Sequence, residues 1–194
     1  MDQTQPSDRE LLHRWGEGCR KSGDELIDRH FAAVYRFFRN KVGAELEDLV
    51  QQTFLACVEA RSRFREESSF KTFLLAIARY QLYARYGQRR RESMDVTLTS
   101  MRDMGASPTG ILASRERKNL LMGALQQLPM EAQMILELAY SEGLPGPEIA
   151  RVLEIPVNTV YSRLSRAKRA LRELLERDYP EYRDDELASM LTIP

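Results

Sequence analysis

The chain has 194 residues, of which 43% are hydrophobic and 30% are charged, a composition typical of folded domains rather than of disordered segments. It contains 29 basic and 29 acidic residues, and a net charge of zero taken alone argues against a partner as acidic as DNA. No segment approaches the roughly eighteen apolar residues of a membrane span, and the first residues lack the pattern of a secretory signal. We therefore expect a cytoplasmic protein without membrane insertion.

The charges, however, are segregated along the chain. Residues 61–91 contain nine basic and two acidic residues, and residues 151–172 contain six basic residues and one acidic residue. The stretches around them, residues 1–60, 92–150 and 173–194, each have an excess of acidic residues. This alternation indicates two anion-binding surfaces on otherwise acidic bodies.

The residue types needed for metal binding or catalysis are sparse. The two cysteines, Cys19 and Cys57, do not form a disulfide framework, and no CxxC or CxxH pair predicts a zinc site. Histidine occurs twice, and the sequence has neither a glycine-rich phosphate loop nor clustered carboxylates beside a basic residue. We expect no metal, no cofactor and no enzymatic activity.

Every long periodic segment of the first half predicts a helix, which makes the fold class all-α. A first helix is predicted from about Asp24 to Val42, ended by Gly43, and a second from about Leu46 to Arg61. Ser69 is predicted to cap a third helix, which starts apolar and turns basic from Arg79 onward. The apolar faces predicted for the three helices contain Ile27, Phe31, Val34, Phe38 and Val42; Leu46, Val50, Phe54 and Val58; and Phe70, Phe73, Leu74 and Ile77.

The second half begins after a stretch without periodicity. Residues 92–111 contain several turn formers and are predicted to be a flexible linker between two small helical domains. Beyond it, a helix ends near Leu128, and another runs from Pro129 to Gly143. A short helix over Pro147–Leu153, a tight turn at residues 154–156 and a longer basic helix then predict a helix-turn-helix. The predicted buried positions are Leu120, Leu121, Ala124, Leu125 and Leu128; Met134, Ile135, Leu138 and Ala139; and Val160, Leu164, Ala167, Leu171 and Leu174.

The last helix of this motif is a candidate for the DNA major groove, where base edges present distinguishable hydrogen-bonding patterns. With the apolar positions turned inward, polar side chains face outward, and basic ones flank them within reach of phosphates. The alternative is the solvated face of an ordinary amphipathic helix. The candidate DNA-binding residues are Asn158, Thr159, Tyr161, Ser162, Arg163, Ser165, Arg166, Lys168 and Arg169.

The first basic block interleaves tyrosines with arginines, which suits single-stranded DNA because unpaired bases stack on rings while arginines neutralise the backbone. Phe64 and the loop over residues 65–69 are placed to accept a base swung out of the stack. The alternative is that the tyrosines are half-buried core residues. The candidate residues of this surface are Phe64, Ser69, Lys71, Arg79, Tyr80, Tyr83, Arg85, Tyr86, Arg89 and Arg90.

Two sets of motifs, in this order, resemble the extracytoplasmic-function group of bacterial sigma factors. The first set is Asp48-Leu49-Val50-Gln51-Gln52-Thr53-Phe54, Phe70 and Ile77-Ala78-Arg79. The second is Leu128-Pro129, Glu142-Gly143-Leu144, Glu148-Ile149-Ala150, Ile155-Pro156, Thr159-Val160, Ser162-Arg163-Leu164 and Arg166-Ala167. The resemblance covers about residues 24–91 and 112–175.

This resemblance implies a transcription initiation factor with four parts. Residues 1–91 would be a region 2-like domain that binds core RNA polymerase and recognises and melts the minus-10 element. Residues 92–111 would be the linker, residues 112–175 a region 4-like domain that reads the minus-35 element, and residues 176–194 an acidic tail. The implied partners are the clamp coiled coil of the largest polymerase subunit, the flap, and promoter DNA both duplex and single-stranded. The implied polymerase contacts are Asp48, Leu49, Gln51, Gln52 and Leu55.

Several residues depart from the usual pattern of this group. Gln52 stands in place of an acidic residue, and Tyr161 in place of a basic one. Others are Phe73 for tryptophan, Tyr80 for asparagine, Ala84 for aspartate and Asn158 for glycine. These positions lie on the expected DNA and polymerase faces, so the resemblance does not carry the group's base preferences over to this chain.

Three other hypotheses stay open at this point. One is a conventional helix-turn-helix regulator that acts without polymerase, and another is an enzyme acting on nucleic acid. A third is an interaction module held inactive by an anti-sigma factor. The acidic tail adds a separate hypothesis, namely that it lies across a basic surface and restrains DNA binding.

Overall fold

A computed structural model describes residues 5–92 and 112–178, and the side chains of residues 5–87 and 120–178. Over these ranges the chain forms α-helices without any strand, which confirms the all-α prediction. Helices α1–α4 belong to one compact unit, and α5, α6 and α8 to a second. The helices are α1 (Asp8–Gly16), α2 (Arg20–Arg39), α3 (Leu46–Ala60), α4 (Phe70–Glu92), α5 (Leu112–Gln127), α6 (Met130–Leu136), α7 (Gly146–Leu153) and α8 (Val157–Asp178).

Helix α1 was not predicted. Its start is fixed by a capping box: the Ser7 hydroxyl accepts a hydrogen bond from the Glu10 N–H (3.3 Å), and the Glu10 carboxylate accepts one from the Ser7 N–H (2.8 Å). Trp15 is buried against α2, where a Cβ on Gly23 would lie 2.5 Å from the indole Nε1. Gly23 therefore makes room for the tryptophan ring.

Polar contacts also hold α1 on α2. Arg29 donates to the Asp8 carboxylate (2.8 Å) and to the Pro6 carbonyl (2.9 Å). His30 Nε2 lies 2.6 Å from the other Asp8 carboxylate oxygen. These contacts attach the start of the described chain firmly to the first unit.

Helix α2 differs from its prediction in both its ends and its buried face. It begins at Arg20 and ends at Arg39, so Gly43 does not end it and Val42 lies outside it. Because α2 packs against α1, α3 and α4, its buried arc is wider than one stripe. Phe31, predicted in the core, is 48% exposed. The buried apolar residues are Leu26, Ala33, Val34, Phe37 and Phe38.

Helices α3 and α4 complete the first unit. In α3 the buried face is shifted by one position from the predicted one: it contains Leu49, Val50, Thr53 and Cys57, whereas Leu46, Phe54 and Val58 are half-buried. The predicted cap of α4 is confirmed, because the Ser69 hydroxyl accepts a hydrogen bond from the Thr72 N–H at 3.2 Å. The buried residues of α4 are Phe70, Thr72, Leu74, Leu75, Ala78 and Leu82.

Helices α7 and α8 form the predicted helix-turn-helix. Pro129 caps α6, which continues as a π-helical segment over Glu137–Ser141 and turns at Gly143 (φ +64°). Helix α7 ends at Leu153, and Glu154 reverses the chain in the left-handed region (φ +54°) before α8 begins. Helix α8 buries Val160, Ala167, Leu171 and Leu175, while the predicted Leu164 and Leu174 are half-buried.

The linker prediction falls largely on residues 93–111 and the tail prediction largely on residues 179–194, and both ranges lie outside the described residues. Among the helices that are described, none is long and apolar enough to cross a bilayer.

Candidate nucleic-acid interface and docking face

The outward face of α8 is polar and basic, as the pattern predicted. Tyr161 is 55% exposed, and Thr159 and Arg163 are half-buried. The remaining candidates are all exposed: Asn158, Ser162, Ser165, Arg166, Lys168 and Arg169. The buried residues of α8, Val160, Ala167, Leu171 and Leu175, lie opposite this face and leave it open to solvent.

Three cations of α8 stay exposed although each makes a contact within the unit. Arg169 lies 3.9 Å from Glu173, and both side chains are largely exposed, so solvent and salt screen this pair. Arg166 donates to the Ser162 carbonyl (3.2 Å) and keeps its other donors on the surface. Lys168 lies over the Tyr140 ring, 4.9 Å from its centroid.

Arg163 differs from these cations because it faces the body of the unit. Its guanidinium donates to the Glu131 carboxylate of α6 at 2.8 Å. The pair joins α8 to the start of α6, and it keeps the guanidinium at the edge of the exposed face rather than at its centre.

The middle of α4 carries the second predicted nucleic-acid surface. Tyr80 is 71% exposed, which excludes the alternative of a core tyrosine at this position. Tyr83 is also exposed, and the Arg79 guanidinium lies over its ring, 5.2 Å from the centroid. These three residues present two rings beside a cation, the combination that stacks unpaired bases and neutralises their backbone.

Arg85 and Tyr86, also predicted on this surface, make contacts within the unit. Arg85 pairs with the Glu45 carboxylate, its Nε donating at 3.0 Å, and the Tyr86 hydroxyl donates to the Lys41 carbonyl at 2.7 Å. Both contacts fasten α4 to the connection between α2 and α3. The side chains of Arg89 and Arg90 lie outside the described residues.

Phe64 belongs to an aromatic cluster at the start of α4. Its ring centroid lies 4.8 Å from that of Phe73 and 6.2 Å from that of Phe70, with an edge-on arrangement to the latter. Phe64 and Lys71 are half-buried, whereas Ser69 is exposed beside the cap that it forms. Phe64 therefore packs against the start of α4 and exposes only part of its ring.

The predicted docking face on α3 is exposed at four of its five residues. Asp48, Gln51 and Gln52 are exposed, and Leu55 is 56% exposed. Leu49 is 2% exposed, so the prediction that it is a contact residue is corrected: its side chain points into the core, one helical step away from the face. Leu49 holds α3 in place while its neighbours present the surface.

The sequence prediction missed the aromatic part of this face. Phe31 and Tyr35 of α2 are exposed, their rings lie 6.2 Å apart, and Phe31 stacks on Phe54 of α3 at 6.0 Å with an interplanar angle of 5°. The large apolar side chains exposed on α2 and α3 are Phe31, Tyr35 and Leu55, which we call the apolar patch. The sequence did not predict this patch because α2 has more than one apolar stripe. The stripe with three- and four-residue steps that includes Phe31 was predicted to be the buried one.

A cleft of about 300 Å³ between α3 and α4 lies next to the docking face. Asp48 and Gln52 line it from α3, while Ala84 and Arg85 line it from α4. The predicted docking face of α3 and the late part of α4 therefore meet at this cleft.

The two cysteines lie in different environments. Burial raises the pKa of the Cys57 thiol to about 12. Cys19 is exposed at the start of α2, where the hydrogen bond from the Ser22 hydroxyl (3.4 Å) lowers the pKa of its thiol. Among the described residues, no group of three or more His, Cys, Asp or Glu side chains could hold a metal ion.

A helix-turn-helix with a basic outer face, in the same chain as a helical unit with exposed tyrosines, is typical of a DNA-binding protein. Comparison with known families identifies the kind of DNA-binding protein. The family described as sigma-70 region 2 matches residues 26–92, and that described as sigma-70 region 4 matches residues 118–171.

Individual relatives agree with these matches. The chain is 30% identical to the RNA polymerase sigma-H factor of Pseudomonas aeruginosa over 190 residues, 89% of this chain and 96% of that protein. It is 29% identical to the ECF RNA polymerase sigma-E factor of Escherichia coli K12 over 178 residues, 86% of this chain and 93% of that protein. The chain therefore belongs to the sigma-70 family of RNA polymerase sigma factors, and within it to the extracytoplasmic-function group.

Solved structures share the fold. The sigma factor RpoE of Bartonella quintana, in complex with the anti-sigma factor NepR, superposes with a TM-score of 0.68 at 24% identity, over 79% of this chain and 96% of that one. CnrH in complex with the cytosolic domain of CnrY gives a TM-score of 0.67 at 24% identity, over 88% and 98% of the two chains.

Proposed function

We propose that this sigma factor binds core RNA polymerase in the cytoplasm and directs it to promoters, with a separate surface for each of three contacts. Helix α8 reads the minus-35 duplex, the middle of α4 captures the unpaired minus-10 strand, and the α3 face docks on the clamp coiled coil of the largest subunit. The protein performs no chemistry of its own. Strand opening is driven by the free energy of binding.

The duplex contact divides into base reading and backbone anchoring. Asn158, Ser162 and Ser165 lie at three- and four-residue steps on α8, where short polar side chains reach base edges. Arg166, Lys168 and Arg169 follow them on the exposed face and anchor phosphates, which fixes register without reading sequence.

The single-strand contact uses Tyr80 and Tyr83 as stacking platforms and Arg79 as the neighbouring cation. Each stacked base contributes roughly 1–3 kcal/mol, an amount comparable with the cost of a few kcal/mol for extruding a base. Arg85 and Tyr86 hold α4 at the correct angle for this contact instead of touching the strand.

The polymerase contact combines polar and apolar groups. Asp48, Gln51 and Gln52 supply acceptors and amides, while Leu55 with the patch of Phe31 and Tyr35 supplies apolar area. A central apolar patch within a polar rim is the usual composition of a specific, reversible interface.

The proposal rests on one observation: exposed tyrosines beside an arginine in one unit and an exposed polar and basic helix face in the other, in a chain from this family. The test is run-off transcription with core polymerase on genomic fragments, with and without the protein. We expect initiation at discrete sites only when the protein is present. Identical transcripts at the same frequencies without it would refute the proposal.

A regulator that acts without polymerase is distinguished by a second measurement. The proposed factor co-elutes with core polymerase and binds promoter duplex weakly by itself. Tight promoter binding by the free chain, together with no co-elution, would favour the regulator.

An anti-sigma factor is a further partner that we propose, supported by the exposed apolar patch of Phe31, Tyr35 and Leu55, which a protein inhibitor would cover. Co-purification of a tagged chain from the uninduced source cell tests it. A Leu55→Asp variant that still captures the same protein would show that the inhibitor binds elsewhere.

A further inference from the structure

Tyr161 and Gly146 are in close contact although fifteen residues separate them. Tyr161 lies near the start of α8, and Gly146 is the first residue of α7. A Cβ built on Gly146 would lie 2.7 Å from the Tyr161 hydroxyl oxygen, 2.8 Å from Cζ and 3.0 Å from Cε1. The outer half of the tyrosine ring therefore rests directly on the glycine, and any side chain at position 146 would require the ring to move.

The ring stays largely open to solvent despite this contact. Tyr161 is 55% exposed, although the hydroxyl end of its ring lies against Gly146. Asn158 and Ser165 are exposed three and four residues away from it on α8, and Ser162 is the next residue in the chain. Tyr161 is thus part of the α8 face that we propose meets the duplex.

We infer that Gly146 is a positioning residue for duplex recognition: it forms the seat that holds the Tyr161 ring across the junction of α7 and α8. This inference rests on the proposed minus-35 role of α8. A helical tyrosine has more than one accessible rotamer, and contact with the α7 backbone selects one of them. Specificity at this point of the recognition helix then depends on a residue of the preceding helix.

The contact between the Tyr161 ring and Gly146 also indicates how Tyr161 would contact DNA. A ring held against backbone presents an apolar edge and a hydroxyl, which suit base edges and thymine methyl groups. It carries no charge, so it adds selectivity without adding to the salt dependence of binding. Loss of the seat should therefore change base preference more than it changes non-specific affinity.

The experiment uses the full chain bound to core polymerase and promoter fragments randomised upstream of a fixed minus-10 region. Wild type is compared with Gly146→Ala, Tyr161→Ala and the double variant. Gly16→Ala is the matched control, because a Cβ there meets nothing within 4 Å. The readouts are the base preference at each upstream position and the affinity for the best wild-type fragment.

We expect Gly146→Ala and Tyr161→Ala each to weaken binding to that fragment about tenfold, the value of one good base contact. Both should lose preference at the same upstream positions. The double variant should bind no more weakly than Tyr161→Ala, because without the ring the added methyl group meets no clash. Gly16→Ala should behave as wild type.

Three outcomes would overturn the inference. The first is a wild-type base preference in Gly146→Ala. The second is a loss of affinity in the double variant equal to the product of the two single losses. The third is a lower thermal unfolding midpoint of Gly146→Ala with unchanged base preference, which would make the glycine a packing residue only; the midpoint is measured on the same samples, and the double variant controls for misfolding caused by the clash. If wild type itself enriches no upstream sequence, the proposed minus-35 role fails, a result distinct from these three.

Discussion

Arg85 donates a hydrogen bond from its Nε to the Glu45 carboxylate at 3.0 Å, and so joins the late part of α4 to the residue that precedes α3. The next residue, Tyr86, donates to the Lys41 carbonyl at 2.7 Å. Two side chains that the pattern of tyrosines and arginines assigned to DNA therefore hold in place the helix from which Tyr80 and Tyr83 project.

Substitutions at Tyr86 and Tyr80 should separate stability from strand capture. Tyr86→Phe removes one hydrogen bond and should lower the free energy of unfolding by about 1 kcal/mol, with little effect on DNA. Tyr80→Ala removes an exposed ring, so it should leave stability unchanged and weaken single-strand binding by about 1–3 kcal/mol.

Both effects are measurable on the full chain. The sole tryptophan, Trp15, is buried in the first unit, so its fluorescence during urea unfolding reports on that unit. Binding is measured with a labelled single-stranded minus-10 oligonucleotide and the polymerase complex. If Tyr86→Phe were as stable as wild type but bound the single-stranded oligonucleotide more weakly, Tyr86 would be a DNA-contacting residue.

Leu55 and Leu49 should respond in opposite ways, although both belong to α3. Leu55→Asp places a charge in the exposed apolar patch, so it should reduce affinity for core polymerase at least about tenfold without changing stability. Leu49→Ala leaves a cavity in the core and should cost about 2–5 kcal/mol of stability.

Polymerase affinity is measured by competition against labelled wild type, and stability by Trp15 fluorescence. Phe31→Ala provides a further comparison, since its exposed ring should matter for docking and little for folding. Unchanged affinity in both Leu55→Asp and Phe31→Ala would exclude the patch as the polymerase contact.

The sequence predicted most helices, because apolar residues recur at helical spacing along α2 to α8. It missed α1, although Ser7 and Glu10 show the capping-box spacing, because two buried side chains form too short a stripe. It correctly placed Val34 and Phe38 in the core, but it misplaced Phe31, since the buried arc of α2 depends on three neighbouring helices. The contacts of Arg85 and Tyr86 within the unit were beyond prediction, because their partners lie 40 and 45 residues away.

Alkylation of Cys19 and Cys57 should distinguish the folded from the unfolded protein. Cys19 is exposed with a lowered pKa, so at pH 7–8 its thiolate fraction exceeds that of a free cysteine and it should react first with iodoacetamide. Cys57, with a pKa of about 12, should stay unmodified until the first unit unfolds. Mass spectrometry should find one label per native chain and two in urea.

Ser22→Ala tests the cause of this difference. Without the serine hydroxyl the pKa of Cys19 rises, the thiolate fraction at pH 7 falls, and alkylation slows, while the rate near pH 10 changes little. Cys19→Ser should abolish native labelling. Equal labelling of both cysteines in the native protein would contradict the burial of Cys57.

Arg166 and Asn158 should contribute differently to duplex affinity, Arg166 to its salt dependence and Asn158 to its dependence on base sequence. If Arg166 contacts a phosphate, Arg166→Ala should weaken binding to all duplexes and reduce the slope of log affinity against log salt by about one. Asn158→Ala removes no charge, so the slope should stay constant while preference among bases relaxes. Arg39→Ala, which removes an exposed charge from α2, is the control for net charge. The measurement is the affinity of the polymerase complex for duplex DNA across a salt series. An unchanged slope in Arg166→Ala would show that its guanidinium contacts a base and not the phosphate backbone.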